Sequence, residues 1–149
     1  MRPATPSLDE ANEALARARR MRANALLAVH QRTSSWTDVV VAATRPGGEP
    51  LRKIRLHELA DAHLQIPTVS LNRRFAMFRS LCGVGPNVSD ASLTIEWLLD
   101  NRVCPGYRLS RWIDALEYTH EARCERIVGF PWANPTSLTQ AWNGDDVTQ

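Results

Sequence analysis

Few side chains in this sequence are spaced for chemistry, and most of those that are cancel one another. Glu117 and Glu121 stand one helical turn apart, as paired carboxylates do, but Arg123 and Arg126 follow at once and make the group a solvated, ion-paired face. His57 and His63 lie six residues apart, which on a helix puts them on opposite sides, so they cannot share a metal ion. His63 falls on an apolar stripe and reads as a hydrogen-bonded structural histidine. Cys82, Cys104 and Cys124 are odd in number and widely spaced, which predicts free, partly buried thiols rather than a disulfide framework. No Cys-x-x-Cys or His-x-x-x-His pair offers metal ligands, and Gly83-Val84-Gly85-Pro86-Asn87 lacks the lysine of a phosphate loop. The expectation is a protein without catalytic residues, metal or cofactor.

The basic residues do gather. Arg17 and Arg20 share the polar face of a first helix, Arg52, Lys53 and Arg55 precede a third, and Arg73, Arg74 and Arg79 sit on a fourth. Cations in the first turn of a helix oppose its dipole, a cost of a few tenths of a kcal/mol that an anion there would remove. Free N–H groups after Ser70, the hydroxyls of Thr68 and Ser70, and Arg73 and Arg74 could then converge on one phosphate. Charge along the chain fits such a face. Residues 1–80 carry 13 basic and 7 acidic side chains, whereas residues 81–149 carry 5 and 9.

The elements that must hold these groups are helices. Ser7-Leu8-Asp9-Glu10 reads as a capping box opening a long helix over 8–30, with Ala11, Ala14, Leu15, Ala18, Ala25 and Val29 on a face expected to dock closely. Ser35 caps a second helix over 36–44, and Val39-Val40-Val41 within it is the one β-like run. Arg45 to Pro50 is expected as an exposed loop, followed by a third helix around Leu56–Leu64 that ends before Pro67. A fourth helix is predicted from Ser70 to a stop at Gly83, a fifth capped by Asp90 with Leu93, Trp97 and Leu98 inward, and a sixth from about Leu109 with Trp112, Ile113 and Leu116 on one side. From Val128 onward, Pro131, Pro135, Gly144 and Asp145-Asp146 deny a long helix. Trp132 or Trp142 is nonetheless expected to pack on the domain. The organisation expected is an arm and long helix over 1–31, a helical domain over 32–127, and a partly irregular tail over 128–149.

Taken in order, Ala14-x-Ala16-Arg17-x-Arg19-Arg20, Ser35-Trp36-Thr37-Asp38-Val39-Val40-x-Ala42, Leu51-Arg52-Lys53-Ile54-Arg55-Leu56-His57-Glu58-Leu59, Ile66-Pro67-Thr68-Val69-Ser70-x-Asn72-Arg73 and Phe78-x-x-Leu81 resemble the actinobacterial integration host factor. The resemblance covers residues 10–83. It implies an all-α fold, a long N-terminal helix docked on a small domain with a helix–two-turns–helix module. It also implies binding and bending of duplex DNA with little sequence preference, beside an integrase or another nucleoprotein component. Two departures stand out. Ser70 occupies the place of a glycine in the family's Pro-x-Val-Gly turn, and the family's second Arg-rich turn is matched only by Gly106-Tyr107-Arg108-Leu109-Ser110-Arg111, after an insertion over 84–104.

The function expected is therefore non-enzymatic, backbone-directed binding of double-stranded DNA. The contact set would be Thr68, Ser70, Arg73 and Arg74, with Arg52, Lys53, Arg108, Arg111, Arg17 and Arg20 in support. No side chain stands out as a base reader. Two rivals remain: an interaction adaptor that has lost DNA binding, and a sequence-specific regulator. No apolar run reaches the roughly 18 residues of a membrane span and no signal-peptide core opens the chain, so a monomer in the cytoplasm, at the nucleoid, is expected.

Overall fold

A computed structural model describes residues 6–100, 102 and 106–117; Cys104, Glu121, Cys124, Trp132, Trp142 and the 128–149 tail lie outside the described residues. Six α-helices occur among the described residues: α1 (Leu8–His30), α2 (Trp36–Thr44), α3 (Leu56–Leu64), α4 (Thr68–Leu81), α5 (Ile95–Leu98) and α6 (Tyr107–Glu117). Two short 3-10 turns, Glu49–Lys53 and Asp90–Ser92, complete the regular structure, and no strand occurs among the described residues. None of the described helices is long and apolar enough to cross a membrane.

Local chemistry starts the first two helices. The Ser7 hydroxyl accepts from the Glu10 amide while the Glu10 carboxylate accepts from the Ser7 amide at 2.7 Å, a reciprocal cap. Ser35 and Asp38 repeat the device at α2, and the Ser35 amide and hydroxyl hold the Asp38 carboxyl below its usual pKa. Helix α1 ends where Arg32 turns left-handed (φ 59°) and the Thr33 hydroxyl donates back to the Ala28 carbonyl. The valine run forms helix, and Val39 and Val40 are buried. Tertiary burial here outweighs a β preference worth under about 1 kcal/mol per residue.

Several expected boundaries move. The segment from Arg45 to Pro50 is less open than expected: Gly48 is buried against α2, and Pro50 lies in the first turn of a 3-10 helix that buries Leu51. A Cβ at Gly48 would fall on the Ala42 carbonyl, so the close approach admits only glycine. The single helix expected from Asp90 is split. Ser89 caps the 3-10 turn, Leu93-Thr94 is extended, and Thr94 caps α5. The break follows from pairing with Arg55: the Leu56 amide donates to the Leu93 carbonyl (2.9 Å) and the Ile95 amide to the Ile54 carbonyl (3.0 Å). That bridge buries Ile54, Leu56, Leu93 and Ile95 together.

Phe78 is the centre of the core. Its ring packs edge-on to Trp112 (5.1 Å) and Trp97 (6.0 Å) and lies tilted on Phe75 (5.8 Å). Such pairs contribute about 0.5–1.5 kcal/mol each beyond the area they bury. Trp112 is 1% exposed, so α6 is locked to α4 through its largest side chain. Residues 93–98 thus supply part of the core through Leu93, Ile95, Trp97 and Leu98.

Helix α1 departs most from expectation. Only its C-terminal third docks: Val29 is buried, Ala25 and Leu26 are half-buried, and the contacts run to α3 and the Glu49–Lys53 turn. Ala11, Ala14 and Leu15, read from periodicity as a docking face, are exposed. Periodicity shows that one side is apolar; it does not show that anything lies opposite.

Candidate nucleic-acid interface

The free half of α1 is helical because its residues favour helix and its first turn is capped. Alanine and arginine are among the best helix formers, and seven alanines fall within Leu8–His30. Arg17, Arg19, Arg20 and Arg22 fall within six consecutive positions there, at 100° steps that spread them round the axis. No acidic residue occurs from Ala14 to Thr37. Arg17 makes a surface ion pair with Glu13 at 3.5 Å. Such an exposed pair is worth under about 1 kcal/mol and yields readily to a phosphate. Arg20 is exposed with no partner among the described residues.

A second group lies at the start of α4. Helices α3 and α4 are joined by Gln65, Ile66 and Pro67, with Gln65 in the left-handed region (φ 51°). The Gln65 side-chain amide donates to the His30 carbonyl at 2.6 Å, which ties this connection to the end of α1. Pro67 caps α4, so the helix begins at Thr68, two residues earlier than predicted, with no side-chain cap and no acid in its first turn. The N–H groups of Thr68, Val69 and Ser70 are therefore unused by the helix, and all three residues are exposed, Val69 by 73%. Arg73, one turn on, is exposed and has no partner among the described residues.

The remaining predicted contacts are engaged within the fold. Arg74, grouped with Arg73 as a phosphate ligand, is half-buried and donates through Nη1 to the Leu116 carbonyl at 2.8 Å, joining α4 to α6. Arg52 donates through Nε to the Ala43 carbonyl at 2.8 Å, closing the end of α2. Lys53 pairs with Glu96 at 2.5 Å and holds its carboxyl below the usual range. Arg108 lies over the Trp97 ring at 4.1 Å and donates to the Trp97 carbonyl at 2.7 Å. Arg111 is held by Asp114 at 3.3 Å and lies over Tyr107. Arg79 is taken up by Asp90 and by the carbonyls of Gly85 and Val88.

The structure thus leaves Arg17, Arg20, Thr68, Ser70 and Arg73 of the predicted set exposed, holds Lys53 and Arg111 in surface ion pairs, and engages Arg52, Arg74 and Arg108 at backbone carbonyls within the fold. It adds Arg19, which is exposed and which sequence reasoning left out of the contact set, and beside it Arg22, half-buried on the side of α1 read as docking. The signal was present: a stripe made mostly of alanine, interrupted by Arg22, is a poor core face.

Other polar features are structural. His57 donates through Nε2 to Asn72 Oδ1 (3.0 Å) and sits edge-on to Phe75. Contrary to expectation, His63 has no hydrogen-bond partner among the described residues; burial and the nearby Arg32 charge lower its pKa. Cys82 is a half-buried free thiol whose pKa is raised by burial. No three His, Cys, Asp or Glu side chains gather as metal ligands among the described residues. Comparison of the chain with family models, curated proteins and solved structures returns no match in any of the three.

Proposed function

We propose that this chain is a non-enzymatic protein that binds duplex DNA through its phosphates, with little regard to sequence, in the manner of the integration host factors that residues 10–83 resemble. The observation that carries the reading is the free half of α1, a protruding helix with four arginines in six residues and no acid from Ala14 to Thr37. Guanidinium forks suit phosphate oxygens. Aromatic rings interleaved with the arginines would favour single strands by stacking, and α1 has none. Bulky aromatic and aliphatic residues would favour a membrane surface, and the apolar side here is mostly alanine.

The start of α4 supports the same reading as a second contact. Its unused N–H groups, the Thr68 and Ser70 hydroxyls and Arg73 all suit an anion. The turn before it is tied to His30, and Arg22 to Arg17 lie 8 to 13 residues back along α1, about 12–20 Å at 1.5 Å per residue. One duplex face of about four to six base pairs spans that distance, at 3.4 Å per pair.

The test is fluorescence anisotropy on several unrelated duplexes across a salt titration. Neutralising about five phosphates gives log K a slope against log salt of about −4 to −5. Changing Arg17, Arg19, Arg20 and Arg22 together to alanine should flatten most of that slope. Absence of binding to any duplex would return the adaptor reading. A preference above about a hundredfold for one sequence would return the regulator.

A further inference from the structure

Two side chains that the fold does not use meet in one recess. Just past the end of α1, Arg32 holds a left-handed backbone (φ 59°) where glycine is the usual choice, because a Cβ makes that conformation costly. Its side chain is exposed and has no partner among the described residues. On α3, His63 is half-buried, and neither of its ring nitrogens has a hydrogen-bond partner among the described residues. Both residues line a recess of about 290 Å³ at the junction of α1, α2 and α3, together with Ser34, Ser35 and Asp38.

We infer that this recess is a site for a phosphate group, held by the Arg32 guanidinium and a ring N–H of His63. The charges that face His63 select an anion. They are Arg32 from the end of α1 and Asp38 from α2, and no other charged residue lines the recess. Asp38 is already engaged: its Oδ2 accepts from the Ser35 amide (2.9 Å) and the Ser35 hydroxyl (2.7 Å). That same cap closes the start of α2, so the free donors belong to Arg32 and His63 and not to a helix end. A cation would be repelled by Arg32, and an apolar ligand would leave both donors unpaired. A phosphate offers two oxygens to the guanidinium fork and a third to the imidazole.

The recess adjoins the turn that leads into α4. Gln65, two residues beyond His63, donates to the carbonyl of His30, two residues before Arg32. The phosphate can therefore belong to the backbone of a duplex lying along α1 or to a small phosphate compound, and the site stands independently of the DNA reading. Burial and the Arg32 charge favour the neutral form of His63. An anion between the two offsets the Arg32 charge, so binding should raise the His63 titration midpoint and draw in a proton.

Proton NMR of the His63 ring in the full chain tests the site, with His57 as the internal reference. In phosphate-free buffer at about pH 6.5, inorganic phosphate should move the His63 signals saturably, with a dissociation constant of about 1–10 mM. Saturating sulfate, whose charge is constant over this range, should raise the His63 midpoint. Arg32→Gly keeps the left-handed turn, so it should fold at least as well as the parent while weakening phosphate binding about tenfold or more. Asp38→Asn keeps the cap acceptor, removes the opposing charge and should tighten binding. A short mixed-sequence duplex then separates the two sources. If it displaces phosphate at His63, the recess takes a backbone phosphate. If inorganic phosphate binds and the duplex leaves His63 unmoved, the recess takes a small phosphate compound, and either result supports the site. His63 signals indifferent to phosphate and duplex alike overturn the proposal, whatever the duplex does at α1. So does a phosphate response that survives intact in a folded Arg32→Gly variant.

Discussion

Arg73 and Arg74 are neighbours of one chemical type, and replacing each by alanine should have opposite consequences. Arg74 Nη1 donates to the Leu116 carbonyl at 2.8 Å from a half-buried position, and its stem lines the small apolar recess formed by Leu71, Phe75, Phe78 and Trp112. A hydrogen bond to a charged group contributes about 1.5–3 kcal/mol, and removing the donor leaves a carbonyl short of a partner. Losing the packed methylenes adds to that. Arg74→Ala should therefore cost about 2–3 kcal/mol, a large share of the 5–15 kcal/mol that holds a domain of this kind together. Arg73 is exposed with no partner among the described residues, and Arg73→Ala should change stability by no more than about 0.5 kcal/mol while weakening duplex binding. Urea unfolding followed by tryptophan fluorescence gives both numbers, and anisotropy on a random duplex gives the second readout. Equal stabilities for the two variants would refute the assignment of Arg74 to the α4–α6 junction. Full binding by a folded Arg73→Ala variant would remove the start of α4 from the interface.

Other expectations follow from single features. Gly48→Ala should cost about 3 kcal/mol or more in chemical unfolding, because a Cβ placed 1.9 Å from the Ala42 carbonyl oxygen can be relieved only by moving backbone. His63 should titrate below its ordinary 6.5 by proton NMR. Its folded pKa is lowered, so the unfolded chain takes up the proton first and stability falls as pH drops from about 6.5 through the folded midpoint; His63→Gln should remove that part of the pH dependence. Asp100, held at about 2 by hydrogen bonds from Arg102, should keep its charge to lower pH than other carboxylates in a carbon-detected titration.

What the sequence made legible was local. The caps at Ser7 and Ser35 could be read because each involves a serine and an acid three residues on, within one turn of helix. The extent of α3 could be read from its apolar spacing and Pro67. The break between Asp90 and Ile95 could not, because it depends on Arg55, far back in the chain, pairing with Thr94. The same limit governs the candidate interface. Clusters of arginine are visible as letters, but Arg74 meets Leu116 across 42 residues, and Lys53 meets Glu96 across 43. Which cations are spent inside the fold is a tertiary fact. Which are left over is what decides where a polyanion can bind.

Arg79 has a consequence for how this protein would come apart. The segment Gly83–Asp90 contains two glycines and a proline, and Val84 is its one half-buried residue. Little buried apolar surface holds it; beyond the Gly83 and Val84 amides bonded to the end of α4, one guanidinium grips it at Asp90 and at the carbonyls of Gly85 and Val88. The segment is in effect a latch closed by one side chain. Local opening there needs only those bonds to part, not the Phe78–Trp112 core. An endoprotease should cut this stretch in the native protein far faster than global unfolding allows once Arg79 is replaced by methionine, which keeps the stem and loses the grip. The severed halves should stay together, because the rings that join α4 to α6 do not depend on the connection between them.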